Sequence, residues 1–204
     1  MKFNDSKTEI LYFYFHSRFV SSNPPSTVTI GDSAIDLTHE ARNLGIIFED
    51  SLDMEKHISN VCRAGWACIR RIGQIRKFLD EAATEKLAHA FITSRIDCCN
   101  SLLLGLPEKL IQRLQRLQNA TARLVCLVKR NEHITPILYK LHWLPVRQRI
   151  KYKTLLLTFK CLHNMAPTYL SELISRHKPK RNLRSSYLTL LEIPAAPRTV
   201  TYGS

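Results

Sequence analysis

From Met54 to Leu79 the apolar residues Ile58, Val61, Cys62, Ile69, Ile72 and Leu79 recur at steps of three and four, the spacing that gathers side chains on one face of an α-helix. Asp80 stands where a side-chain oxygen can cap the next helix, which runs to about Cys98. Gly105-Leu106-Pro107 then interrupts the pattern, Gly suiting a helix end and Pro a first turn, and a third long helix fits Pro107 to about Arg130. Thr135-Pro136 starts a short helix to about Leu141. Leu144-Pro145 breaks the chain before an apolar helix from about Val146 to Asn164, and Ala166-Pro167-Thr168 precedes another short one, Tyr169 to Ile174.

Ahead of Met54 the character differs. Residues 9–15 are aromatic and β-favouring, and Thr27–Ile30, Ala34–Leu37 and Asn43–Phe48 repeat that character around Gly31-Asp32 and Gly45, with Pro24-Pro25 in the loop between the first strand and the following hairpin. The pattern predicts an α+β chain that is mainly α: a bundle of three to four long helices preceded by a small N-terminal β segment. Its divisions are a β-rich region over 1–50, a helical domain over 54–175, and a basic linker with an irregular tail over 176–204, where only Leu188–Ile193 reads as extended.

Charge sharpens this division. The formal net charge is +13, yet residues 1–100 hold 12 Lys and Arg against 13 Asp and Glu, whereas residues 101–204 hold 18 against 4. A basic excess on one part of a chain points to an oriented contact with a polyanion; the alternative is a solvated basic face. On the third helix Leu110, Leu114, Leu117, Thr121, Leu124, Val125 and Val128 share the core-facing side. Lys109, Arg113, Arg116, Arg123 and Arg130 fall in a separate arc, a stripe roughly 30 Å long at 1.5 Å per residue. With Arg147 and Lys151 early in the following apolar helix, these are the candidate phosphate contacts.

Catalytic signatures do not accompany the charge. No Asp-Asp pair, phosphate-binding glycine loop or G-x-S-x-G elbow occurs. His57 with Cys62, or His89 with Cys98-Cys99, lacks the paired two- to four-residue ligand spacing of a zinc site. His133 and His142 flank the short helix at Thr135-Pro136 and read as caps or packed rings. The longest wholly apolar run, Ile10 to Phe15, is far short of the roughly 20 residues of a spanning helix, so no membrane partner is expected. The N-terminus has no secretory pattern, and most of the six Cys read as buried small hydrophobes, which predicts an intracellular chain, in nucleus or cytoplasm.

Several strings, in order, resemble reverse transcriptases of non-LTR (LINE-type) retrotransposons. Asn4-Asp5-Ser6-Lys7-Thr8-Glu9 is similar to the N-x-x-K-T-E segment late in that family's palm, and Leu44-Gly45-Ile46 to the strand that follows it. His89-Ala90-Phe91-Ile92-Thr93-Ser94-Arg95-Ile96-Asp97, Cys99-Asn100-Ser101-Leu102-Leu103 with Gly105-Leu106-Pro107, His133-Ile134-Thr135-Pro136 and Leu141-His142-Trp143-Leu144-Pro145 extend the match through the helices. The resemblance implies the late palm and a thumb-like helical region closing over an RNA or RNA/DNA duplex, with the basic stripe on its phosphates.

The resemblance also implies a lysine near the nucleotide site, matched by Lys7, and Mg²⁺ in the intact parent enzyme. The family's aspartate box is not in this sequence, and two-metal phosphoryl transfer needs those carboxylates. The chain alone is therefore expected to need no cofactor, to be inactive as a polymerase, and to keep Lys7 only as a vestige, as a fragment of a truncated or decayed element. Palm strands that would pair with its β segment are lacking, so self-association through unpaired N-terminal strands is expected. The alternative is a helical protein-interaction or scaffold module with no nucleic-acid function.

Overall fold

The computed structural model describes residues 8–13, 26–30, 33–177 and 190–193; Lys7 and most of the 176–204 tail lie outside them. The chain is mostly helical, with two small sheets at its N-terminal end. In the first sheet β1 (Ile10–Leu11) runs parallel to β3 (Ser33–Thr38), and β3 pairs antiparallel with β2 (Thr27–Ile30). The second is a hairpin of β4 (Glu40–Asn43) and β5 (Ile46–Glu49). The sequence pattern ran one strand through Asn43–Phe48; the chain instead folds back there, because Leu44 and Gly45 both take positive φ, 48° and 87°. Two such residues give the turn whose twist matches an antiparallel pair.

Ile46 of β5 is buried, and with the half-buried Phe48 it joins the main core against α1 (Glu55–Ile75). Met54, left-handed at φ 60°, offers the start of α1 no side-chain cap. Two carboxylates from outside the helix supply it: Asp53 Oδ1 accepts from Glu55 N at 3.1 Å and Glu49 Oε2 from Lys56 N at 2.9 Å, satisfying donors with no intrahelical partner. The Glu55 N–H holds the Asp53 carboxyl below its usual range, while burial pushes the Glu49 carboxyl up. His57, one turn in, is buried, and its Nδ1 accepts from Ile47 N at 3.4 Å.

The main core is built where α1 packs on α4 (Glu108–Cys126). Ile58, Val61, Cys62, Gly65 and Ile72 of α1 are buried, as are Leu110, Leu114, Leu117, Thr121 and Val125 of α4. At Gly65 the helices approach so closely that a Cβ there would lie 2.5 Å from Leu117 Cδ2. Leu117 has no exposed surface, so it has little room to swing away. At the far end of α1, Arg76 is buried in the short 3-10 turn Arg76–Phe78. Its guanidinium donates to Leu124 O at 3.0 Å, Val125 O at 2.7 Å and Leu79 O at 2.6 Å. Two of those carbonyls belong to the last turn of α4, where a cation also opposes the negative helix end.

The helix predicted after Asp80 forms as α2 (Glu81–Ala88), a wide π-type turn over His89–Thr93, and α3 (Ser94–Asp97). Asp80 Oδ1 caps it through Ala83 N at 2.6 Å. Trp143, Leu138 and Ile137 form a second core with Ala88, Ala122 and Val125; Ile137 and Leu138 come from α5 (Ile134–Lys140). The indole of Trp143 donates to Glu85 Oε1 at 3.1 Å. The start of α6 (Val146–Leu162) is fixed by α4: Gln115 Oε1 accepts from Val146 N, and Gln118 Nε2 donates to Leu144 O, each at 2.8 Å. Arg149 adds a 2.9 Å ion pair to Asp97.

The chain divides into two compact units, Met1–Lys151 and Tyr152–Ser204, at a boundary inside α6. In the second unit α7 is Thr168–Ser171, and Arg176 bridges Leu191 in antiparallel fashion. Tyr152, Leu155 and Phe159 of α6 are more than half exposed.

Gly65→Val is expected to cost about 3 kcal/mol in urea unfolding, the upper part of the overpacking range. Gly73→Ala, whose Cβ would meet its nearest neighbour at 3.9 Å, is expected to stabilise by about 0.5–1 kcal/mol through helix propensity.

Burial pushes the His57 imidazole below its ordinary 6.5, so below that pH the unfolded chain takes up a proton that the folded chain resists. The contribution of His57 is therefore complete above pH 6.5 and is lost as pH falls toward the depressed folded value. His57→Gln is expected to flatten the fall in unfolding free energy between neutral pH and the onset of carboxylate titration, as measured by denaturant titrations across that range.

Candidate nucleic-acid interface

α4 presents its cations on the side away from the core, but the structure divides the predicted stripe. Lys109 and Arg116 are exposed. Arg113 is half-buried and turned back onto α1, donating to Ser59 Oγ at 2.7 Å with Glu55 Oε1 at 3.6 Å. Arg123 is half-buried; its Nη2 donates to Glu132 O at 3.1 Å while its Nε is shielded and without a partner among the described residues. Arg147 is ion-paired with Glu108. It shares with the exposed Lys151 a small cleft beside the Leu103–Leu106 turn.

Arg130 lies beyond the helix rather than on it. α4 stops at Cys126, because Leu127 turns left-handed at φ 53° and Val128 N reaches back to Arg123 O at 3.1 Å. This is the six-to-one bond of a Schellman closure, here with Leu in the position that Gly usually takes. The closure swings Val128, Lys129 and Arg130 out of the helical path and back beside α1.

The result is an open groove of about 830 Å³ in which Arg116, Arg123, Lys129 and Arg130 meet Trp66 and Leu127. No Asp or Glu lines it among the described residues. Trp66 follows Gly65 in the chain and is 39% exposed, so the same close helix contact that buries Gly65 sets the indole at the edge of the α1–α4 seam. The C-terminal end of a helix is ordinarily hostile to anions. Here Arg76 has already taken the Leu124 and Val125 carbonyls, which removes much of that penalty.

Arg116, Arg123 and Arg130, expected from the sequence as phosphate contacts, line this groove together with Trp66 and Lys129, which the sequence pattern does not single out. Trp66 stands four residues after the core residue Cys62 and reads as one more apolar position. Lys129 falls outside the helical arc and joins the others only once the chain leaves α4.

The sequence candidates His57, His133 and His89 take structural places. His57 accepts a backbone N–H as described, His133 Nδ1 accepts from Thr135 N at 3.4 Å at the start of α5, and the His89 ring lies 5.2 Å from that of Trp143. Burial pushes the Cys62 and Cys126 thiols up, away from the reactive thiolate. Among the described residues no three His, Cys, Asp or Glu side chains converge as a metal site would require. Comparison with known proteins adds no assignment, since no protein-family model, curated protein or solved structure matches the chain.

Proposed function

We propose that this chain is the late-palm and thumb-like part of a non-LTR retrotransposon reverse transcriptase, inactive as a polymerase by itself and keeping a surface that binds RNA or an RNA/DNA duplex without reading sequence. The observation that carries the binding half is the groove in which Arg116, Arg123, Lys129 and Arg130 gather around Trp66 with no carboxylate among them. Cations from a helix and from the segment after it suit phosphates spaced along a backbone, and such contacts position a nucleic acid without identifying its bases. The ordered strings from Asn4 to Pro145 support the family half, which places the parent enzyme's Mg²⁺ chemistry on carboxylates this sequence does not supply.

A second reading, a protein-interaction or scaffold module, is favoured by the exposed Tyr152, Leu155 and Phe159 on α6. Under it, Leu155→Glu abolishes partner capture and nuclease treatment leaves that capture intact.

Affinity for an RNA/DNA duplex is expected to fall steeply with salt, with a log–log slope of about −3 to −4 if the four groove cations each displace a counterion. Arg116→Gln and Arg123→Gln are each expected to reduce that slope by about 1. Arg113→Gln, whose guanidinium is already held by Ser59 and Glu55, is expected to leave the slope unchanged. A nearly salt-independent affinity, or equal effects from all three substitutions, would count against the assignment.

A further inference from the structure

The groove has a composition that phosphate contacts alone do not use. Beside its cations lie Trp66, Leu127 and the half-buried Ile69, Leu124 and Val128. A duplex offers phosphate and sugar on its outside and keeps its base faces stacked within, so an apolar wall with an accessible indole is of little use to it. An unpaired strand offers both chemistries at once: planar apolar bases to stack, and a phosphate at each step for a nearby cation. Trp66 is large enough to stack a base and exposed enough to be reached, while Arg116, Lys129 and Arg130 line the same groove.

We infer that the groove between α1 and the end of α4 is a single-strand site, in which an unpaired base stacks on Trp66 while Arg116, Arg123, Lys129 and Arg130 hold the flanking phosphates. This rests on the nucleic-acid reading above and narrows it, since the site is selective for unpaired strand over duplex. Leu127 contributes the apolar wall because the left-handed closure of α4 leaves its side chain exposed. Stacking does not discriminate strongly among bases, so the site is tolerant of sequence.

The molecule carries its own spectroscopic test. It has two tryptophans: Trp66 in the groove, and Trp143, which is 6% exposed and hydrogen-bonded to Glu85. Titration of the full chain with an oligouridylate of about a dozen nucleotides is expected to quench its fluorescence, and Trp66→Phe is expected to remove that quenching while leaving the Trp143 emission.

In anisotropy measurements Trp66→Ala is expected to weaken oligouridylate binding about tenfold and blunt RNA/DNA duplex binding by less than about twofold. The circular dichroism spectrum and the Trp143 emission verify that each variant is folded. Equal losses on the two probes, or no loss on oligouridylate, overturn the single-strand site. If wild-type protein still binds both probes with steep salt dependence, the broader nucleic-acid reading survives that result. Absence of salt-dependent binding to either probe overturns both.

Discussion

Where α1 crosses α4, the Gly65 backbone sits so close to Leu117 that there is no room for a methyl group between them. That approach brings Val61, Cys62 and Ile72 on one side into one core with Leu110, Leu114 and Leu117 on the other. The other parts of the main core are hung from this pair. Ile46 and Phe48 of β5 pack onto the start of α1, and Ile92 and Ile96 join from the helix that follows it. Gln115 and Gln118 of α4 hold the start of α6 through its backbone. Separating the two helices would therefore loosen several elements together, and would also open the groove that lies along their seam.

Electrostatics follows from the same arrangement. The basic excess of residues 101–204 does not form one uniform face, because part of it is consumed inside the protein. Arg113 is turned back onto α1, Arg147 pairs with Glu108, Arg149 pairs with Asp97 and Lys140 pairs with Glu81. Of the cations not so paired among the described residues, Arg116, Arg123, Lys129 and Arg130 gather at the end of α4, while others such as Lys109 and Lys151 lie elsewhere. Beneath the groove cations Arg76 satisfies the Leu124 and Val125 carbonyls, which would otherwise present negative charge at that helix end. Arg76 thus acts on the surface while buried beneath it.

The helices were legible because their apolar residues repeat at helical spacing and their boundaries carry recognisable residues, such as Asp80 and Pro107. Two boundaries were not legible, for one reason each. Val128 continues the apolar period of α4, so nothing in the pattern announces that Leu127 will adopt a left-handed conformation without being Gly. Glu40-Ala41-Arg42-Asn43 has no apolar alternation, so β4 exists only through its ladder with β5. The groove was half legible for a related cause: residues sharing a helix arc can be read from spacing, whereas Trp66 and Lys129 reach it from other segments. The division of the stripe into free and internally paired arginines was invisible, since it depends on Ser59, Glu55 and Glu108 being close in space.

The seam between α1 and α4 is the surface proposed to meet nucleic acid. Amide and indole NMR shifts of the full chain, followed while an oligouridylate is added, test it most directly. The expected result is that the shifts concentrate at the Trp66 indole, Arg116, Arg123 and Lys129–Arg130, while Tyr152 to Phe159 stay in place. Shifts centred on Tyr152, Leu155 and Phe159, or spread evenly over every exposed Lys and Arg, would contradict it.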